Sequence, residues 1–537
     1  MATNTEIFLG SGASLTFVPE TDLYVMVNHT PSTTTKFVAE NDFRNLYRFV
    51  DDLYVGCVVD LYDADGSGGS TTPASTHVIT SNDYESITVS PATSITIADG
   101  DFFIIRSYGA PCVGPKASTT ARLNADNWLG LVESATFPSV EQEMKQLNLQ
   151  LGGNRNFSHQ YKGIRTASGG NLAVVANHGT WLYYALGQCT SVLHTSEGTA
   201  PTSRLVGEAV DKVYIENASS SLTGAQTSTS FTSTGPIFYK SASSSDKSLM
   251  PPLVANLDTL ANTDEITRTT STATEVAAPI TYTFAELNTE DLPSFALEQT
   301  LSKFGDNSTM TTETGSASES HNFVRIARGN RVNTLTMTAN ENEEVKFTLD
   351  LNTRAVNKLS QTQNYEARGG QATNSSLFNF PPSTDAELLE PFFFSKGSFS
   401  IFGQQFLKIT NLTLTINNNL QDKRFIGIGN KDVKSAIPAQ RNYELSFTAM
   451  VTDDKLFEEL FTETEVASGT STIDLQFDKQ NASGGDDEQI IIKLQDYFLS
   501  GSTFTIPDDK GPITVEATVM PRTLNTCTVK THWVLQG

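Results

Sequence analysis

FLKITNLTLTINNNLQDKRFIGIGNKDVKSAIPAQRNYELSFTAMVTDDKLFEELF, Phe406 to Phe461, carries the pattern that decides the fold. It reads as a strand, a long loop, a second strand and a short amphipathic helix. Leu131 to Leu186 repeats that plan: Phe137 precedes Trp181 by 44 positions, and Leu412 precedes Leu456 by 44. A constant shift of 275 therefore superposes the two stretches without a gap and sets Gly152 on Gly427. Identity is low, so the repeat is one of pattern, and it points to two versions of one unit in the chain.

Outward from the repeat, strands dominate. Residues 1–36 alternate weakly, as an extended arm or first strands. Asn41 to Tyr54 places Phe43, Leu46, Tyr47, Val50 and Tyr54 at helical spacing, with Asn41 or Asp42 as N-cap. Strands follow at 55–62, 85–91, 94–97 and 102–108, the last two joined by a tight Asp-Gly hairpin at 98–101. The loop from Gln146 to Gly170 is long, as is 417–440, and loops of that length usually have work to do. Thr180 caps a helix, WLYYAL, that Gly187 stops in the left-handed conformation. From about 195 to 275 the sequence turns to Ser, Thr and Gly and reads as loops and linker, with strands at 212–216 and 236–240. In the second half, 280–284 and 294–301 are strands, and 323–351 is a three-strand meander with period-two faces. Residues 472–477, 489–494, 512–519 and 527–535 add four more. The fold class is mainly β, as sandwiches or barrels with short helices.

Length and charge narrow the function. At 537 residues the chain exceeds one ordinary core. The net charge of −24 excludes a general DNA-coating protein, which needs clustered Lys and Arg, but not one that DNA must pass without sticking. No run of 18 apolar residues spans a membrane, and MATNTEIFLGSGAS lacks the pattern of a secretion signal. Cys57, Cys112, Cys189 and Cys527 are far apart and read as buried free thiols.

No catalytic constellation emerges. The histidines His29, His77, His159, His178, His194, His321 and His532 share no ligand spacing. GIGNKD at 427–432 lacks the lysine-serine ending of a phosphate cradle, and DADGSGG at 63–69 lacks most of a calcium loop. The acidic runs 340–344 and 484–488 read as solvated turns, and the basic spots 327–331 and 422–424 are too small for duplex DNA. The expectation is a non-enzyme with no catalytic residues, cofactor or metal.

LPSFALEQ (292–299), the 323–351 meander and the opening stretch together resemble the tail tube proteins of long-tailed bacteriophages. Gly329, Val332, Asn333, Leu335 and Met337 stand at that family's second element, and Thr415 to Leu420 at its asparagine-rich one. The resemblance covers about 280–537, and 126–190 through the repeat; residues 1–120 and 200–275 depart from it. It implies two tandem tube-type β-barrel or sandwich domains, 121–277 with Ser/Thr-rich loops and 278–537, behind an accessory N-terminal β region, 1–120. It implies a virion tail subunit, assembled in the host cytoplasm, whose chief partner is itself. Rings stack into a tube through which viral DNA passes without specific binding, and other tail proteins meet its ends. Fusion of two domains implies a homotrimer with pseudo-six-fold symmetry, with a hexamer as the alternative. The long loops 146–170 and 417–440 are the candidates for ring-to-ring contacts. A different virion structural protein and a glycan-binding adhesin are the competing readings.

Overall fold

In strand after strand, apolar residues alternate with Thr, Ser and Asn, and a pleated chain so patterned buries one face and wets the other. The computed structural model describes residues 8–20, 22–39, 52–63, 73–83, 85–98, 101–110, 130–147, 159–193, 280–288, 291–303, 322–359, 390–401, 404–405, 408–424, 435–451, 472–479, 488–508 and 510–531, and the backbone of five strands within 211–270.

The first strand, β1 (Phe8–Pro19), leaves its neighbours in sequence and pairs with a strand of the second half. The next six form a sheet of their own in the order β2-β7-β4-β5-β6-β3: β2 (Leu23–Met26), β3 (Lys36–Val38), β4 (Val58–Tyr62), β5 (Ser75–Asn82), β6 (Ser86–Ser90) and β7 (Phe102–Ile105). β5 escapes the sequence pattern because His77 takes a core-facing position. Its ring nitrogens lie 2.7 Å from Ser75 Oγ and 2.7 Å from the Pro91 carbonyl, which makes burial tolerable. The expected pairing of 94–97 with 102–108 is not found among the described residues, and Asp99 and Gly100 lie outside them. Ser94–Ile97 stays outside the sheet, with Ile95 and Ile97 packed against its core, while β7 pairs with β2 and β4. Of the expected helix, 41–51 lies outside the described residues, and 52–56 is a turn. The 64–69 part of DADGSGG lies outside them too.

The first repeat copy holds β8 (Leu131–Thr136), β9 (Ser139–Leu147), β10 (His159–Ser168), β11 (Asn171–Val175), α1 (Thr180–Leu186) and β12 (Gly187–Leu193). Of the expected loop 146–170, residues 148–158 lie outside the described residues, and 146–147 and 159–168 belong to a β-hairpin arm: β9 and β10 pair antiparallel from Ser139 opposite Ser168 to Leu147 opposite His159. Every residue of β9 is exposed, so no one-sided apolar alternation announces it. The helix ends at Gly187, φ 104°, whose N–H returns to the Tyr183 carbonyl. Its N-cap, however, is Gly179, and Thr180 is already helical. The Thr180 N–H donates to His178 Nδ1 at 3.3 Å. Trp181, Leu182, Tyr184, Ala185 and Leu186 are all buried, so the helix is sunk in the core rather than laid on it.

In the Ser/Thr-rich region, β13 (Asp211–Asn217) pairs with β17 (Thr263–Thr270), β15 (Ile237–Lys240) with β16 (Lys247–Met250), and β14 (Ser230–Thr232) with β12. The second half runs β18 (Ile280–Glu286), β19 (Phe295–Lys303), β20 (Asn322–Asn340), β21 (Lys346–Asn352), β22 (Ala355–Leu359), β23 (Phe392–Ile401), β24 (Gln404–Gln405), β25 (Ile409–Asn417), β26 (Gln421–Lys423), β27 (Ser435–Ile437), β28 (Asn442–Met450), β29 (Thr472–Lys479), β30 (Gln489–Thr505) and β31 (Thr514–Thr531). Two expectations change here. The first two strands of the meander are one 19-residue strand, β20, and the last two strands of the chain are one 18-residue strand, β31. β20 is bent and serves two sets of partners, and β31 pairs with β28 through Thr514–Val519 and with β18 through Cys527–Thr531. β20 turns at Gly329, φ 65°: its first part pairs with β19 and β22, its second with β21 and β25. The expected second helix, 456–461, lies outside the described residues.

Beyond the N-terminal sheet, seventeen strands, from both repeat copies and β1, form one hydrogen-bonded network. One continuous core, from Phe137 to Val529, lies under it.

Candidate functional site: an eight-stranded sheet with two open edges

Within that network, eight antiparallel strands follow one another as β8-β11-β21-β20-β25-β28-β31-β30. Residues opposite one another across an antiparallel pair share a face. On one face Leu172, Leu349, Leu335, Ile416, Tyr443, Leu445 and Val519 are buried in the core. On the other, mostly hydroxyl side chains form rows: Ser134, Ala173, Thr348, Thr336, Thr415 and Glu444 in one, Thr413, Ser446 and Thr518 in the next. From β8 to Thr518 of β31, the charged members of this face are Glu133, Asp350, Glu444, Glu516 and Lys346, four carboxylates to one ammonium, and Lys346 is held 3.1 Å from Glu133; Arg522 and Asp496, 3.7 Å apart, stand further along β31 and β30. The face is thus polar, short-chained and net acidic. Such a surface offers a polyanion hydrogen-bonding groups but no clustered cations.

The asparagines of TINNNL fix the corner where β25 leaves the sheet. Asn419 takes φ 47°, its N–H donating to Asn417 Oδ1 at 2.9 Å. Buried Asn418 donates to the Val332 carbonyl and to the Ala185 carbonyl near the end of α1, both at 3.0 Å. Arg441 donates to Asn418 Oδ1 and to the Leu186 carbonyl. The motif therefore ties the second copy to the helix of the first.

The sheet has two edges. β8 pairs with β11 on one side and with no strand on the other among the described residues. β30 turns at Asp496, φ 54°, leaves β29 after Gln495, and runs on with only β31 beside it among the described residues. Apolar side chains collect on this segment: Phe504 is 37% and Ile506 76% exposed, and Phe498 stands opposite exposed Met520. The arm β9–β10 carries exposed Val140, Met144, Leu147, Tyr161 and Ile164. A smaller arm, β26–β27, stands at the corresponding place in the second copy.

The bend of β20 is where the N-terminal sheet is fastened. Glu20, buried at the end of β1, accepts from Gly329 N–H (2.7 Å), Gly109 N–H (2.8 Å) and Ser294 Oγ (2.5 Å). Burial pushes its pKa up, opposed by those hydrogen bonds and by Arg328. Arg328 donates to the Gly109 and Val55 carbonyls and Arg354 to those of Tyr108 and Gly56. The Tyr108 ring has Arg331 3.9 Å and Arg354 4.6 Å from its centroid. The "basic spot" 327–331 is accordingly an interior fastening, since Arg328 and Arg331 are buried. Of the acidic run 484–488 only Glu488 lies among the described residues, and it is no solvated turn residue: it is buried in an ion pair with Lys479 and accepts from Thr531 Oγ1 at 2.7 Å. The run 340–344 is a turn, as expected, with Asn340 to Glu343 exposed.

The profile described as phage tail tube protein matches residues 138–521, well over half of the chain. The chain belongs to the phage tail tube protein family. It is a structural component of a phage tail. No curated protein matches it. The tail-tube match takes in the Ser/Thr-rich stretch 200–275, which the sequence motifs had left out, and excludes β1 to β8, so the N-terminal sheet is an addition to the matched region. The hydroxyl face was legible but passed over: Thr334, Thr336 and Thr338 interleave with the apolar residues that mark the strand.

Proposed function

We propose that this tail tube subunit assembles into closed rings of three chains, that the rings stack, and that the genome passes through the hollow they enclose. The eight-stranded sheet carries this reading. Three copies bring twenty-four strands together. At roughly 4.8 Å between strands, and with the tilt of a barrel, their backbone diameter is about 40–50 Å. Six copies would double that. The hydroxyl face, with Asp350, Glu444 and Glu516, faces the hollow, where its charge repels phosphate, while the apolar face stays in the wall. Closing the ring also removes the two open edges, which otherwise invite uncontrolled pairing. The arms β9–β10 and β26–β27 reach from the sheet toward the next ring.

In this reading the chain holds two tube units with the N-terminal sheet as an outer addition. The first unit takes in β1 and runs from β8 to β22; the second runs from β23 to β31. Native mass spectrometry of the smallest ring tests the count: three chains are expected, and six would overturn it. Negative-stain microscopy separates assembly from the adhesin alternative. Rings or tubes are expected; monomers that bind sugar would reverse the assignment.

A further inference from the structure

The chain already contains one junction between its two units, and that junction specifies the one between chains. β20 with β21 and β30 with β31 are the same construction. The left-handed bend falls at Gly329 in one and Asp496 in the other, and the register shift at Val332/Thr334 in one and Leu499/Gly501 in the other. All three matches share an offset of 167 residues (329 to 496, 332 to 499, 334 to 501). β8 with β11 and β25 with β28 are likewise the same. Val132 and Ser134 flank the shift in one, Ile409 and Asn411 in the other, an offset of 277. Leu172 corresponds to Phe447 and Leu349 to Ala517, because each pair is joined across the next ladder. The gapless shift of 275 is therefore right for β11 and two residues short for β8; Leu412 corresponds to Ala135, not to Phe137.

Within the chain, the units join edge to edge where β20 pairs antiparallel with β25, Met337 opposite Leu414 and Ala339 opposite Leu412, all four buried. The equivalents of β20 and β25 are the distal part of β30 and β8, the two open edges. Met337 becomes Phe504, Ala339 becomes Ile506, Leu414 becomes Phe137 and Leu412 becomes exposed Ala135. Phe504 and Ile506 are exposed where their counterparts are covered by the neighbouring unit.

We propose that residues 501–506 of one chain pair antiparallel with 135–140 of a second copy, Phe504 opposite Phe137 and Ile506 opposite Ala135. This rests on the self-assembly reading above and adds to it the edge, direction and register of the seam. Repeated head to tail, the contact closes when the last β30 meets the first β8.

Cysteine pairs test the register. Thr505→Cys with Thr136→Cys, and Ser502→Cys with Ser139→Cys, place thiols directly opposite on the two faces of the ladder. One of the two faces presents the closer, non-hydrogen-bonded spacing that a disulfide accepts. Assembled material is oxidised and run under denaturing, non-reducing conditions. Covalent dimers and trimers from at least one pair, reversed by reductant, are expected. Thr505→Cys with Ser134→Cys, two residues out of register, and each single variant are expected to stay monomeric. Rings that form but cross-link only in the shifted pair, or in none, overturn the register while leaving assembly standing. A chain that stays monomeric at all concentrations overturns both.

Discussion

Glu20 satisfies two backbone N–H groups and a hydroxyl that have no water to turn to, so its value lies in what its removal strands. Glu20→Ala is expected to cost about 3 kcal/mol in urea denaturation. Gly329 holds φ 65°, and a Cβ there would lie 2.5 Å from Arg354 Cβ. Gly329→Ala is expected to cost about 2 kcal/mol or more, whereas Asp496→Gly, at the equivalent bend, should stay within about 1 kcal/mol of the parent. His178 is an acid-sensitive residue of the core. Burial first, and nearby Lys479 second, push its pKa down to about 4 from 6.5. The folded state therefore binds the proton less readily than the unfolded chain. The stability this neutral ring contributes is complete above pH 6.5 and is lost as pH falls toward 4, about 3 kcal/mol in all. His178→Gln should flatten stability against pH over that window; an unchanged slope would show that other groups set it.

At the scale of elements, α1 and the β9–β10 arm make opposite demands. The helix was readable from Trp181, Leu182, Ala185 and Leu186, because burial leaves an apolar record. Trp181 also packs against Phe295 of β19, with ring centroids 5.5 Å apart, which no local pattern announces. Trp181→Ala is expected to cost about 3–5 kcal/mol. The arm was read as a loop because a hairpin exposed on both faces has no side to keep apolar. Replacing 143–164 by Asn-Gly, which closes Gln142 against its partner Arg165, should leave the monomer's melting temperature within a few degrees while abolishing tubes longer than single rings. Tubes of ordinary length from that variant would remove the arm from the stacking contact.

For the whole molecule, the distribution of charge matters more than its total. If the hydroxyl face lines the hollow, Asp350→Lys, Glu444→Lys and Glu516→Lys together turn a repelling wall into an attracting one. Tubes of the triple variant are expected to retain duplex DNA in a salt-dependent way, and tubes of the parent chain to release it. Equal, weak binding by both would place that face elsewhere.

By itself, the sequence determined the mainly β class, the helix with its glycine stop, the recurrence of a strand–connection–strand plan and the family. Each of these is written in local periodicity or in residues a few positions apart. Only the tertiary structure decided that β1 joins β19, and that the segments about Gly329 and near Leu524 are continuous strands whose two ends meet different partners. It also decided that three arginines which look solvated are interior fastenings. Strand partners and burial are set by pairing energies between residues hundreds of positions apart, and alternation says which face of a strand is wet, not whose edge it meets. The offsets that equate one bend and bulge with the other lie in backbone registers, where the two sequences share almost nothing.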